Sequence, residues 1–141
     1  MALSFQHPFL PLEKYPFLKL KIGGGGAEES RLKQLASDLG INHAVTFTGA
    51  LTTDQTLDLM RHSNAFVLAS RTETFGVVYI EALSQGLPVI ATRCGGPQSI
   101  VTSDNGLLVP IENIPELTKA LLTLYENHAH YDPVRLRQDC L

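Results

Sequence analysis

The sequence predicts an α/β domain in which helices cover both faces of a parallel, Rossmann-like sheet. From residue 17 onward, short apolar runs alternate with segments of helical periodicity along the 141-residue chain. Two of these runs, AFVLAS at 65–70 and PVIAT at 88–92, are almost continuously apolar, as strands buried on both faces are. This alternating order is typical of a parallel sheet with helical crossovers.

The first half of the chain supplies two strands and two helices. FLKLKIG (17–23) is a short predicted strand, and the glycines at 23–26 follow it as a hinge or tight loop. Apolar residues at helical spacing predict a helix over 28–40, with Gly40 as its stop. AVTFTG (44–49) alternates like a strand. The helix over 52–63 opens with Thr52 and Gln55 in the capping-box pattern.

The second half continues the alternation. Apart from the two apolar strands, the predicted elements are a helix over 76–86 stopped by Gly86, a short turn or helix from Pro97, a strand at 106–110, an amphipathic helix over 114–128 and the start of a helix at 132–141. Pro115 stands in the first turn of its helix, where proline is tolerated.

Composition and charge exclude several classes. The formal net charge is −3 and no basic cluster follows a helix, so a nucleic-acid partner is not expected. No apolar run approaches the roughly 20 residues that span a bilayer, and the N-terminus lacks the features of a signal peptide. Cys94 and Cys140 are predicted to be free thiols in a reducing cytoplasm. His128 and His130 are interpreted as the polar end of a helix, and no metal site is predicted.

The length fits one domain over residues 1–141. Before residue 17 there is room for only part of a helix, so the strand expected before residues 17–23 is predicted to be missing. The last segment stops within a predicted helix. We therefore expect a piece of a larger polypeptide.

Parallel sheets bind ligands beyond the carboxyl ends of their strands, so the loops at 23–27, 49–52, 70–76 and 92–97 are the candidate site. The glycine run does not complete a dinucleotide fingerprint, because Glu28 stands where its third glycine is needed, and it lacks the Lys of a P-loop. Two interpretations of the run stay open: a flexible turn with close backbone approach, or a wall around a ligand.

The stretch ETFGVVYIEALSQG (73–86) places a charge, Glu81, inside an apolar helix. The helix start at Gly76 offers unpaired N–H groups and a positive dipole end, which suit a diphosphate. Glu73 precedes this anion site and is suited to sugar hydroxyls. Glu81 lies about 7 Å further along the helix, at about 1.5 Å per residue, within reach of a ribose. Alternatively, Glu81 pairs with Arg71 or Arg93, or lies at a solvated edge.

Five segments in this order carry a family resemblance. They are KLKIGGGG, AVTFTGAL, AFVLASRTETFG, EALSQGLPVIAT and CGGPQSIV with NGLLVP, and together they include the pattern E-TFGVVYI-E from Glu73 to Glu81. From about residue 12 to about residue 125, the chain resembles the C-terminal donor domain of group-1 retaining glycosyltransferases with the GT-B fold.

The resemblance implies one half of a two-domain enzyme that moves a sugar from a nucleotide-diphosphate sugar to an acceptor hydroxyl with retention of configuration. Glu73 would contact the transferred sugar as the catalytic-site carboxylate, and Glu81 would hold the ribose. No metal or other cofactor is expected, in agreement with the lack of an Asp-x-Asp motif. The implied partners are the donor, an acceptor glycan or lipid, and an N-terminal acceptor domain of the same chain. The remaining donor-binding residues implied are Thr74, Phe75, Gly76, Val77, Gly23, Gly24, Gly49, Ala50 and Leu51.

The sequence departs from the family pattern in three respects. The strand and loop that supply a basic pair to the diphosphate are not found, Ala69 replaces the usual proline before Ser70, and Gln98 stands where an acid is common. The fragment alone is therefore expected to be inactive. Two other interpretations stay open: a GT-B nucleotide-sugar epimerase or phosphorylase, and a non-catalytic nucleotide-binding or receiver module. A phosphorylase needs a lysine for pyridoxal phosphate, and no lysine lies between residues 34 and 118.

Overall fold

The computed structural model describes the backbone of residues 2–4 and the whole of residues 18–140. In chain order the elements are β1 (Ala2–Ser4), β2 (Lys19–Gly23), α1 (Glu29–Asp38), β3 (Val45–Gly49), α2 (Thr53–Arg61), β4 (Ala65–Leu68), α3 (Val77–Ser84), β5 (Val89–Thr92), β6 (Gly106–Val109), α4 (Ile114–Glu126) and α5 (Pro133–Gln138). Short 3₁₀ helices span Asn42–Ala44, Gly96–Ser99 and His128–His130.

These strands form one six-stranded sheet in the order β3-β2-β1-β4-β5-β6. The pairs β2–β3, β4–β5 and β5–β6 are parallel, as predicted. This is the strand order of a Rossmann-like sheet, and the predicted fold class is confirmed.

Strand β1 corrects the prediction that no strand precedes residue 17. It lies between β2 and β4 and runs antiparallel to both, with Leu3 opposite Leu20 on one side and Ala65 on the other. Its three residues carry no helical or alternating pattern long enough to be recognised. The part-helix expected before residue 17 otherwise falls outside the described residues.

The core lies against the centre of the sheet. All four residues of β5 are buried, and in β4 Ala65, Phe66 and Val67 are buried. A strand with no exposed side chain must be covered on both faces, which confirms the prediction of strands buried between helical layers. Helix α3 packs on β5, α4 packs on β6, and α1 packs on β3.

The helix starts follow their local sequence signals. Thr52 accepts a hydrogen bond from the amide of Gln55 at 3.2 Å, and the Gln55 side chain accepts one from the amide of Thr52 at 2.9 Å. The predicted capping box of α2 is therefore confirmed. In the described part of the chain, no helix is long and apolar enough to cross a bilayer.

Candidate functional site

The loops after β2 and β3 converge with α2, β4 and the first turn of α3 on an apolar cleft. The cleft has a volume of about 270 Å³. It brings together Gly23, Gly24 and Leu51, which the sequence analysis placed at the site, with side chains that it did not single out for the site: Thr56, Leu59, Met60, Phe66, Leu68 and Val78.

The glycine run allows two of these loops to touch. The amide of Gly24 donates to the carbonyl of Gly49 at 2.9 Å, and both residues have positive φ angles, of 104° and 71°. A Cβ on Gly23 would lie 3.3 Å from the end of the Leu51 side chain, and one on Gly25 would lie 3.6 Å from the amide of Ala50. The interpretation of close backbone approach is therefore confirmed, and Gly23 and Gly24 also line the cleft. That the cleft holds a ligand stays a prediction.

The loop that carries Glu73 rests on a second glycine pair. The carbonyl of Glu73 accepts from the amide of Gly96 at 2.6 Å. A Cβ on Gly95 would approach that carbonyl to 3.0 Å, and one on Gly96 would lie 2.8 Å from the carbonyl of Thr74. Side chains at these two positions would push the Glu73 loop away. Sequence reasoning used these glycines only within the family pattern, although a glycine pair after a buried strand was a detectable signal.

The carboxylate of Glu73 caps the helix that follows it. Its Oε1 accepts a hydrogen bond from the amide of Gly76 at 3.3 Å. The prediction of an unoccupied helix start is therefore wrong for Gly76. The next two amides, of Val77 and Val78, have no acceptor among residues 18–140. The positive end of α3 thus keeps two free donors beside a carboxylate.

Gly76 is required by the protein's own packing. Its φ angle is +73°, in the left-handed region. A Cβ there would lie 2.9 Å from Cδ1 of Ile100 and 3.1 Å from the ring of Tyr79. A side chain at this position would therefore point into the protein, and the need for glycine is explained without a ligand.

Glu81 lies half-buried in α3, among the buried residues Tyr79, Ala82 and Leu83. None of the ion pairs within residues 18–140 includes Glu81, and no side-chain hydrogen bond to its carboxylate is formed there. The alternative in which Glu81 pairs with Arg71 is wrong, because the Arg71 guanidinium pairs with Glu112. The Glu81 carboxylate is therefore available to a ligand or to solvent.

The other predicted site residues around Glu73 face outward. Phe75 is 76% exposed and Val77 is 59% exposed, and Thr74 is also exposed. The large apolar side chains of Phe75 and Val77 are thus exposed next to free amides, which gives this surface a mixed apolar and hydrogen-bonding character.

A buried phenol lies beneath the Glu73 loop. Tyr79 is fully buried, packs edge-on against Phe66 and donates to the carbonyl of Leu68 at 2.9 Å. Burial, with smaller contributions from the neighbouring Cys94 and Glu73 side chains, raises the pKa of Tyr79 to about 12. The phenol is therefore a neutral hydrogen-bond donor at physiological pH. Sequence reasoning missed this role because Tyr79 has the periodicity of a core residue.

Within the described residues, no cluster of three or more His, Cys, Asp or Glu side chains is placed to hold a metal ion. Cys94 and Cys140 are free thiols.

The family model for group 1 glycosyl transferases matches residues 9–139. The chain belongs to this family. The match spans all of the loops described above, so the cleft, the Glu73 loop and α3 lie within the part of the chain that matches the family.

Relatives and solved structures agree with this membership. The chain is 38% identical over 121 residues to an uncharacterized glycosyltransferase of Haemophilus influenzae, covering 84% of this chain and 34% of the relative. It is 34% identical over 127 residues to a GDP-mannose-dependent monoacylated α-(1-6)-phosphatidylinositol monomannoside mannosyltransferase of Corynebacterium glutamicum, covering 85% of this chain and 32% of the relative. Sucrose-phosphate synthase of Thermosynechococcus elongatus superimposes with a TM-score of 0.73 at 29% identity, covering 86% of this chain and 32% of that structure. The chain thus spans about a third of the length of these proteins.

One departure of this chain from the family pattern has a structural role. The Gln98 side-chain oxygen accepts a hydrogen bond from the amide of Gly95 at 3.2 Å, closing the 3₁₀ turn Gly96–Ser99. An amide oxygen at this position therefore supports the glycine pair under the Glu73 loop.

Proposed function

We propose that this chain is the donor-binding half of a glycosyltransferase that moves a sugar from a nucleotide-diphosphate sugar to an acceptor hydroxyl with retention of configuration. One observation carries the proposal: the free amides of Val77 and Val78 lie at the positive end of α3, between a carboxylate that precedes the helix, Glu73, and an unpaired carboxylate within it, Glu81. A diphosphate flanked by a sugar and a ribose needs this order of donors and acceptors.

The diphosphate is assigned to the start of α3. Backbone amides and the helix dipole stabilise negative charge there. We propose that the negative charge is balanced by these groups and by basic side chains of the longer enzyme, without a metal ion or other cofactor. This part of the proposal rests on the family resemblance, with which the lack of an Asp-x-Asp motif in the sequence agrees.

The two carboxylates are assigned to hydroxyl groups. Glu73 is fixed at its backbone by Gly96 and at its carboxylate by Gly76, so a sugar at this point meets an acceptor of defined position. Glu81 is half-buried and unpaired, which is costly for a charge unless a polar group reaches it. Two ribose hydroxyls donating to Glu81 would satisfy it.

The nucleotide base is assigned to the apolar cleft between the 23–24 and 49–51 loops. The side chains that line it are mostly apolar, and the backbone of these glycine-rich loops offers hydrogen-bonding groups. The sugar and the base stay open. The Corynebacterium relative is described as GDP-mannose-dependent, and this alone does not select guanine for the present chain.

The wider context is part of the same proposal. The chain spans about a third of the length of its relatives, which leaves room for an N-terminal acceptor domain in the longer enzyme. We propose that this domain of the same chain closes the cleft. The acceptor would be a glycan or a lipid, and the enzyme would be cytoplasmic. No observation supports a GT-B epimerase or a non-catalytic module.

A calorimetric titration with UDP, GDP, ADP and their common sugar conjugates tests the proposal, on this chain and on the full-length enzyme. We expect one nucleotide to bind selectively, and Glu81→Gln to weaken binding about three- to tenfold through the lost charge-assisted hydrogen bonds. Glu126→Gln is the matched control, because Glu126 is an exposed glutamate on α4 far along the chain from the cleft loops.

Stability measurements separate a ligand role from a structural role. Because Glu81 has no partner in the described protein, Glu81→Gln should leave the unfolding midpoint unchanged or raise it. Unchanged nucleotide affinity of the full-length enzyme, together with a large loss of stability, would contradict the assignment. Retention is tested separately by the anomeric configuration of the product, read by NMR.

A further inference from the structure

The neighbouring strands β4 and β5 separate just before the Glu73 loop. Their parallel pairing ends at Leu68 and Ala91. The chain that follows β4 then crosses the end of β5 and pairs again only at Glu73, which bridges to Gly95. Between these two points the loop has no strand-to-strand ladder to hold it.

Two side-chain hydroxyls hold the backbone at and just beyond the end of this pairing. The Thr92 hydroxyl donates to the carbonyl of Ser70 at 2.5 Å, and the Tyr79 hydroxyl donates to the carbonyl of Leu68 at 2.9 Å. Thr92 also lies 3.4 Å from the Cys94 sulfur. Both hydroxyl-bearing residues are buried, at 2% and 0% exposure, so water does not compete for these bonds.

Thr92 is itself well anchored. It is the last residue of β5 and pairs with Val109 of β6 on the side away from the loop. Its backbone is thus fixed by one strand while its side chain reaches the loop of another. The turn that follows Thr92 also contacts the loop. The carbonyl of Cys94 accepts a hydrogen bond from the amide of Glu73 at 3.5 Å, and the amide of Gly96 donates one to the carbonyl of Glu73 at 2.6 Å.

We propose that Thr92, assisted by Tyr79, is a positioning residue. The two hydroxyls fix the position of the 69–73 loop and therefore the position of the Glu73 carboxylate relative to the start of α3. Thr92 does not touch the donor. It acts through the Ser70 carbonyl, and its loss frees the loop while the sheet stays intact. The consequence for donor binding rests on the proposed function, whereas the consequence for loop order does not.

Hydrogen exchange measured by NMR on the wild type and on Thr92→Val tests the loop directly. Valine keeps the branched shape and removes the hydroxyl. We expect the Gly96 and Glu73 amides to exchange about three- to tenfold faster, as for the loss of one buried hydrogen bond. The amides of Phe66 and Val89, which bond to Pro88 and Asn105 at 3.0 and 3.1 Å, should exchange as before.

Donor binding supplies a second readout. Relative to wild type, Thr92→Val should bind a nucleotide-sugar about three- to tenfold more weakly, and the free nucleoside diphosphate within about twofold. The two ligands differ because Glu73 is assigned to the sugar, whereas a merely unstable protein would lose both affinities alike.

Thr92→Ser keeps the hydroxyl and should restore both readouts, and Tyr79→Phe should repeat the loop effect without altering Thr92. Thr118→Val is the matched control, because Thr118 bonds only its own helix, at the Ile114 carbonyl.

The outcomes are distinct. Exchange that quickens equally at all four amides, or at none, would overturn the positioning role, as would failure of Thr92→Ser to restore the loop. If wild-type protein binds no nucleotide or nucleotide-sugar, the proposed function loses its support, while the exchange result still decides the role of Thr92.

Discussion

The Glu73 carboxylate accepts a hydrogen bond from the backbone amide of Gly76, three residues further along the chain, at 3.3 Å. A negative side chain therefore occupies the first donor at the positive end of α3, and the donors of Val77 and Val78 have no acceptor among residues 18–140. The contact makes Glu73 both a helix cap and a neighbour of the proposed diphosphate. Both roles can be separated by experiment.

Replacing Glu73 by alanine should lower the free energy of unfolding by about 1 kcal/mol, because a cap and a favourable charge at the helix start are lost. Part of the loss should disappear in high salt, since the dipole term is screened. Urea denaturation at low and high salt measures both. Glu126→Ala, at the exposed last turn of α4, should show no such loss, and an equal loss in both variants would contradict the capping role.

The same variant has a predicted signature in binding. Glu73→Ala removes a negative charge beside the proposed diphosphate and frees the Gly76 amide. Affinity for a free nucleoside diphosphate should hold or rise, while affinity for the nucleotide-sugar falls. Calorimetric titration of both ligands compares the two. A fall in affinity for the free diphosphate would contradict the assignment of Glu73 to the sugar.

Gly76→Ala should be strongly destabilising. The left-handed φ of +73° costs a residue with a Cβ about 1 to 2 kcal/mol, and that Cβ would meet Ile100 at 2.9 Å. We expect a total loss of about 2 to 3 kcal/mol in urea denaturation. Gly26→Ala is the control, because a Cβ there meets nothing within 4 Å. Its stability should change by no more than about 1 kcal/mol, in the stabilising direction.

Because the pKa of Tyr79 is raised, the free energy of unfolding should fall at alkaline pH. This pKa is raised to about 12 in the folded protein from 10.0, so the unfolded chain releases the proton first as pH rises. The raised pKa stabilises the folded protein by about 2 to 3 kcal/mol. This stabilisation is fully present below about pH 10 and is lost as the pH rises from about 10 to 12. Tyr79→Phe should flatten this part of the curve of unfolding free energy against pH. Parallel curves for the two proteins would contradict the raised pKa.

Glu112 stands in a strained conformation, with a φ of 53°, and its carboxylate pairs with Arg71 at an exposed position. Exposed ion pairs contribute little, so backbone strain should dominate. Glu112→Gly should therefore be more stable than Glu112→Ala by about 1 kcal/mol. Both variants lose the ion pair, and their difference isolates the backbone term in thermal or urea denaturation. Equal stabilities would show that the left-handed conformation carries no cost here.

Most element positions followed from the sequence because their signals are local. The capping pair Thr52 and Gln55 and the stop at Gly86 lie within a few residues of the helix ends that they set. Strand β1 did not follow, since three residues carry no usable pattern and the strand is defined by its partners β2 and β4. Its antiparallel direction is a property of the sheet.

Local patterns were sufficient to predict the alternation of strands and helices, the two loops at 23–24 and 49–51 beside the cleft, and the spacing between Glu73 and Glu81. The partners of the side chains became known only from the folded chain: Glu73 bonds to Gly76, Arg71 to Glu112, Tyr79 to Leu68 and Thr92 to Ser70. This difference follows mainly from distance along the chain. Helical and strand periodicity depends on residues within a few positions of one another, whereas a contact such as Thr92 with Ser70 exists only once β4 and β5 lie side by side.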